Sequence, residues 1–283
     1  MYSAVYENEN GLKFVLGKDG GNVFDLDVGD GVSVNLGTSQ GFSQIGENVE
    51  TQSVGGRPIT VKGAIFQNVI NQKKIMRKVF APFTSGTLTL DDGLYIRAIV
   101  KDPPAFSPVK DDGRFTMQLY APFPYFYNAI ESFVQIGGIL PAFKFPVNYA
   151  EPHKFGEKAP GTFTTILNEG EVKVPFGVQL TITGTSTNPT VTNLLTFEFL
   201  KINGSFSQGD FIHVYRDENN VLRAELTGEY GSVVDIISQI DEDSNLFELN
   251  VGDNLISVND NEGGAGMVAR IVYSPAVVAW YES

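Results

Sequence analysis

Val54–Pro82 reads V-G-G-R-P-I-T-V-K-G-A-I-F-Q-N-V-I-N-Q-K-K-I-M-R-K-V-F-A-P. Gly55-Gly56 opens it, a pair free to take backbone angles that other residues avoid. From Arg57 to Phe66, Ile59, Val61 and Ile65 alternate with Thr60 and Lys62, which predicts a strand. Gly63 interrupts that strand and marks a bulge or a close backbone approach. Val69, Ile70, Met76, Val79 and Phe80 then fall near a 3.6-residue period, so Asn68–Phe80 reads as one short amphipathic helix. Lys74, Arg77 and Lys78 occupy its polar face, the last two near the helix's negative end. Pro82 stops it. A helix of about three turns is marginal alone, and its partner here is a sheet, because strands dominate on both sides.

Outward from this stretch, the first half is built of short strands. Lys13–Leu16, Val23–Leu26 and Val32–Leu36 alternate apolar and polar residues, with turns at Gly20-Gly21 and Asp30-Gly31. Gly37–Asn48 is polar and glycine-punctuated, and reads as a loop or arm. Gly86–Leu90 and Leu94–Val100 form a hairpin across Asp91-Asp92-Gly93. Three prolines in Lys101–Pro108 predict a loop or irregular edge. Arg114–Tyr120 is a further strand with Phe115, Met117 and Leu119 inward. Gly137-Gly138, Pro141, Pro146, Pro152 and Pro160 break any period, so residues 136–160 read as a linker packed through Phe143 and Phe145. Beyond it, short strands separated by turns run from Phe163 to Tyr273, with one helical turn within Gly231–Ile240, the pattern of a β-sandwich. The expected domains are therefore 1–135, the linker 136–160, and 161–283. No 20–50-residue repeat and no heptad appears.

Composition narrows the function classes. A chain of 283 residues that is 42% apolar has enough material for two cores. No apolar run is long enough to span a bilayer, and Met1–Glu7 lacks the basic start and apolar core of a secretory signal. There is no cysteine, which removes disulfides and thiolate metal sites and fits cytosolic synthesis. Residues 1–135 hold 12 Lys+Arg against 14 Asp+Glu, while residues 136–283 hold 8 against 19. The halves thus carry −2 and −11, and the acidic half disfavours nucleic acid or an anionic membrane as a partner.

The search for chemistry returns negatives. The two histidines, His153 and His213, form no H-E-x-x-H pair, and no G-x-S-x-G elbow is present. Asp241–Asn245 starts like a calcium loop but has Leu246 at the sixth place and Gly252 at the twelfth. No glycine-rich loop opens a helix to cradle phosphate. We expect no enzyme activity, no cofactor and no metal. Trp280, among Val277, Val278 and Tyr281, reads as packing rather than a sugar-stacking ring. His213-Val214-Tyr215-Arg216 has part of the galectin sugar-binding strand but lacks its Asn.

Taken in order, several segments resemble the siphovirus-type tail component family, the distal tail proteins of long-tailed bacteriophages. They are Gly56–Gly63, the basic helix ending Phe80-Ala81-Pro82, Leu94–Val100, Phe115–Pro124, Asn168–Pro189, Gln208–Ile212, Leu246–Asn254 and Ala269–Tyr273. The resemblance covers nearly the whole chain. It implies a mainly β protein: an N-terminal β-rich belt domain with one short α-helix, and a C-terminal galectin-like β-sandwich. It further implies a hexameric ring at the virion tail tip, joining the tail tube protein to the tail-associated hub protein and to receptor-binding proteins, without nucleic-acid recognition or membrane insertion. Candidate ring-interface residues are Arg57, Arg77, Lys78, Gln40 and Phe42, with Arg57 anchoring a neighbour's carboxylate. The alternative reading is a carbohydrate-binding module for host-surface glycans that uses Trp280.

Overall fold

The computed structural model describes residues 3–28, 31–109, 111–137, 139–141, 156–158, 163–217, 220–245, 247–264 and 266–280. The chain forms two compact units, Met1–Ile130 with Ala276–Ser283, and Glu131–Pro275. This division differs from the sequence expectation at both ends. The second unit begins at Glu131 because Ser132–Ile136 is one of its strands, and the chain returns to the first unit at Ala276.

The first unit is built on one large sheet and one helix. Its strands are β1 (Ala4–Asn8), β2 (Lys13–Leu16), β3 (Asn22–Asp27), β4 (Val34–Ser39), β5 (Asn48–Val54) and β6 (Arg57–Ile65). Then come helix α1 (Val69–Val79), β7 (Ser85–Leu90), β8 (Leu94–Phe106), β9 (Arg114–Ala121) and β10 (Phe126–Asn128). The sheet order is β2-β1-β7-β8-β9-β6-β3, all antiparallel, with β10 beside β8 and the strand Ala276–Val277 beside β10. Alternation puts Ile59, Val61 and Ile65 of β6, and Phe115, Met117 and Leu119 of β9, into one core. The helix buries Met76 and Val79 against it. The next residue, Phe80, is wholly buried, stacked on Tyr6 with centroids 4.6 Å apart and edge-on to Phe14 at 5.9 Å. Buried Asn8 ties the helix to the sheet. Its Nδ2 donates to the Val79 carbonyl, and its Oδ1 accepts from the amides of Asn10 and Leu12. One side chain therefore satisfies an orphan helix carbonyl and closes the β1–β2 turn.

Three local expectations are corrected. Gly55 and Gly56 do not sit at positive φ. Gly56 is needed for space, because a Cβ there would stand 2.3 Å from the Tyr120 hydroxyl. Lys101–Phe106 is not a loop but the end of β8. The register shifts at Val100/Asp102 and again at Asp102/Ala105, where Pro103 and Pro104 lie, and the pairing continues to Phe106. Gly63 lies in unbroken register, with a Cβ there meeting the Val23 carbonyl at 2.3 Å, so close approach and not a bulge explains it.

The second unit is a β-sandwich. Its strands are β11 (Ser132–Ile136), β12 (Ile139–Pro141), β13 (Gly156–Lys158), β14 (Phe163–Asn168), β15 (Phe176–Ile182), β16 (Ser186–Thr187) and β17 (Thr190–Asn193). They are followed by β18 (Phe199–Lys201), β19 (Ser205–Phe206), β20 (Phe211–Arg216), β21 (Leu222–Thr227), β22 (Val233–Asp235), β23 (Gly252–Asn259) and β24 (Met267–Tyr273). A six-stranded sheet runs β11-β24-β15-β20-β21-β22 and a four-stranded sheet β14-β23-β17-β18. Val178, Leu180, Val214 and Ile271 from the first, with Ile166, Val191, Leu200 and Ile256 from the second, are buried between them. The expected helical turn is the 3-10 turn Ile237–Gln239. Val174 forms an isolated bridge with Leu249. Of the expected linker, 142–155 and 159–160, with Phe143, Phe145 and His153, lie outside the described residues, and the ladder of β12 with β13 occupies part of the remainder.

Candidate functional site

The segment read as a loop or arm, Gly37–Asn48, holds the tip of a two-stranded ribbon made by β4 and β5. Val34 pairs with Val54 and Leu36 with Gln52; the register then shifts between Gly37 and Thr38, passing over Glu50, and resumes with Thr38 opposite Val49. Alternation sorts its side chains sharply. Val34, Leu36, Thr38, Val49, Gln52 and Val54 share one face, while Asn35, Ser39, Asn48, Thr51 and Ser53 share the other. The ribbon is thus apolar on one side and polar on the other, yet among the described residues nothing covers the apolar side. Val34, Leu36, Val49 and Val54 remain 43–57% exposed, and Phe42 and Ile45 at the tip are fully exposed. At the tip, Gln40 Nε2 donates to the Gln44 carbonyl and Gln44 Oε1 accepts from the Gly41 amide. Ser43 completes the turn in the left-handed region at φ 63°. The tip is therefore internally organised while its two large apolar side chains point into water.

Helix α1 presents a second distinctive surface. It holds Lys73, Lys74, Arg77 and Lys78 and no acidic residue. Ile70, Lys74, Arg77 and Lys78, spaced i, i+4, i+7 and i+8, lie along its exposed side. Ile70 stays exposed although it was placed on the inward stripe, because at 100° per residue it lies about 120° around the helix from buried Met76. The guanidinium of Arg77 and the ammonium of Lys73 both stand over the Phe106 ring, at 5.2 and 5.4 Å.

The five candidate residues therefore fall into three places. Gln40 and Phe42 share the arm tip, and Arg77 and Lys78 share the last helical turn. Arg57 stands apart, and its expected role is corrected: it is 2% exposed and faces its own interior. It donates through Nη2 to the Val278 carbonyl and lies 5.1 Å above the Phe126 ring, while Nε and Nη1 have no acceptor among the described residues. Burial pulls its pKa below the ordinary arginine value. The glycine pair brings the chain so close to β9 that the next side chain turns inward. Arg57 thus clasps the returning C-terminal segment rather than a neighbour's carboxylate.

Two other groups singled out in the sequence also find their places. Trp280 is half-buried against the core of the first unit, so it is not a ring offered by the sandwich. His213 lies on the outer face of the six-stranded sheet, stacked on Tyr215 at 4.3 Å and opposite Glu225. Burial lowers its pKa, against the opposing pull of Glu225 and Glu131. Among the described residues no group of three or more His, Cys, Asp or Glu is arranged to hold a metal, and no helix is long and apolar enough to cross a membrane. The sequence reading missed the second arm strand and the apolar face it helps to make. The signal was there in Val34-x-Leu36 and Val49, masked by the shift at Glu50.

The chain is a two-unit β protein with an uncovered amphipathic arm, and it is similar in fold to solved structures of phage tail proteins. The crystal structure of the Dit protein (gp 19.1) of phage SPP1, described as a paradigm of the hub adsorption apparatus in phages infecting Gram-positive bacteria, aligns over 98% of this chain and 99% of that one. The TM-score is 0.67 at 13% identity. A chain of the phage P2 baseplate in its calcium-activated conformation aligns over 96% and 97%, with TM-score 0.50 and 11% identity. Its strontium-activated counterpart aligns over 97% and 98%, with TM-score 0.50 and 12% identity. A search of curated protein sequences finds no match. The fold is thus that of a phage tail and baseplate component. Residues 169–275 match the family model described as the C-terminal domain of the siphovirus-type tail component, the family that the sequence motifs resemble.

Proposed function

We propose that this chain is a non-catalytic tail-tip hub subunit, six copies of which close into a ring through the first unit. In this reading the ring sits at the end of the tail tube in the virion and joins the tube protein to the tail-associated hub and receptor-binding proteins. The second unit serves as the outward docking module. The observation that carries the reading is the end-to-end fold likeness to a tail hub protein, which leaves almost none of either chain unaligned. The uncovered arm supports it, because a two-stranded ribbon is marginal in water unless it packs on something. Edge strands β2 and β3 support it as well, since open edges invite pairing and a closed ring removes them. Charge is compatible: the near-neutral first half can self-associate with little repulsion, and the acidic second half keeps the docking modules apart.

Negative-stain microscopy of the purified chain tests this. Class averages should show rings with six-fold symmetry and peripheral lobes. Dispersed single particles at concentrations well above micromolar would contradict the proposal.

A further inference from the structure

We infer that the apolar face of one copy's β4–β5 arm seats on the basic outer face of the next copy's helix α1. The inference rests on the ring reading above and names the surfaces that meet at each seam.

Both surfaces are incomplete in the single chain, and in complementary ways. The arm exposes Val34, Leu36, Val49 and Val54 in a row, with Phe42 and Ile45 beyond them, and its only charged residues are Glu47 and Glu50. The helix exposes Ile70 and Ile75 beside Lys74, Arg77 and Lys78, and carries no acid. The arm is apolar on this face and acidic only at its margin, where the Glu50 carboxylate accepts from the Ser39 hydroxyl on the polar side, and the helix is apolar and basic, so the seam offers burial on the face and counter-charge along its edge. The side chains of both stay exposed, so the two patches do not meet within one copy. The occupant that fits is a second copy of this chain. Made once between each pair of copies, a contact between two different patches is head-to-tail and propagates until the rotation closes a ring. Two copies exchanging arms reciprocally would stop at a dimer, so covalent products larger than two chains are what distinguish the ring seam from that exchange.

The chain contains no cysteine, so introduced thiols are the only ones present. Gln52 lies on the apolar arm face and Asn71 on the exposed helix side. The full chain carrying Gln52→Cys and Asn71→Cys, treated with a short bismaleimide, should give a ladder of covalent multimers on a denaturing gel. Each single variant should remain monomeric on that gel. Charge reversal supplies an independent reading. Glu47→Lys with Glu50→Lys should weaken assembly about tenfold per seam, and so should Lys74→Glu with Lys78→Glu, a size set by two exposed ion pairs. The four changes together should restore assembly, because the pairs are re-formed with inverted sign. All four side chains are exposed, so folding is not at stake, and an unchanged melting temperature verifies this. Multimers of full mass that give no ladder, or a quadruple variant weaker than either double, overturn the arm-on-helix contact and leave the ring standing. A chain that never exceeds 30.9 kDa overturns the ring and this contact together.

Discussion

Arg57 shows how a single residue can be visible in a sequence and still be misread. Arg after Gly-Gly at the head of a strand looks like a surface charge. Only the fold reveals that Gly56, pressed against Tyr120, draws the chain inward and places the guanidinium between Phe126 and Val278. That contact spans 221 residues of sequence, a separation that no local pattern reports. With one acceptor among the described residues, the buried cation is a costly way to hold the C-terminal return. Arg57→Ala should lower the stability of the first unit by ~2–4 kcal/mol in urea titration, and Arg57→Met by less than ~1 kcal/mol, because Met refills the space without the charge. His213 gives a pH-dependent counterpart in the second unit. Its folded pKa lies below the ordinary 6.5, so the unfolded chain takes up the proton first. Stability from this group is therefore present above about pH 6.5 and is lost as the pH falls below that value. His213→Gln should flatten the decline in melting temperature between pH 7.5 and 5; an unchanged slope would assign the decline to other groups.

At the scale of elements, the strands and the helix were largely legible because alternation and the 3.6-residue period report directly which face meets the core. β2, β6, β7 and β9 follow their patterns within a residue or two, and α1 differs from its expected span by one residue at each end. The failures have physical causes. The register shifts in β8, where Pro103 and Pro104 lie, do not break the strand, because an antiparallel ladder can absorb irregularities. The second arm strand, β5, was missed because none of its residues faces the core of its own unit, so burial left no imprint on the pattern. That absence is what gives the arm its meaning. Phe42→Ser with Ile45→Ser removes two side chains that touch nothing in the monomer. The double variant should hold the stability of the first unit within ~0.5 kcal/mol. It should nonetheless shift the assembled fraction downward in sedimentation velocity. A loss of monomer stability instead would mean that the arm tip folds back on its own unit.

For the molecule as a whole, sequence order and turn grammar were enough to suggest the family, and the end-to-end structural likeness agrees with it at 13% identity. What sequence could not supply was the division of the chain. The C-terminal segment returns to the first unit at Ala276, so the sandwich is an insertion between Ile130 and Ala276 rather than a terminal domain. An inserted module is joined to its host unit by two chain crossings. The account stands or falls on self-assembly of this one chain, and native mass spectrometry of the purified protein measures it most directly. The predicted result is a species at six times 30.9 kDa, diminished by Phe42→Ser with Ile45→Ser. A spectrum holding only the 30.9 kDa chain, unchanged by that variant, would contradict it.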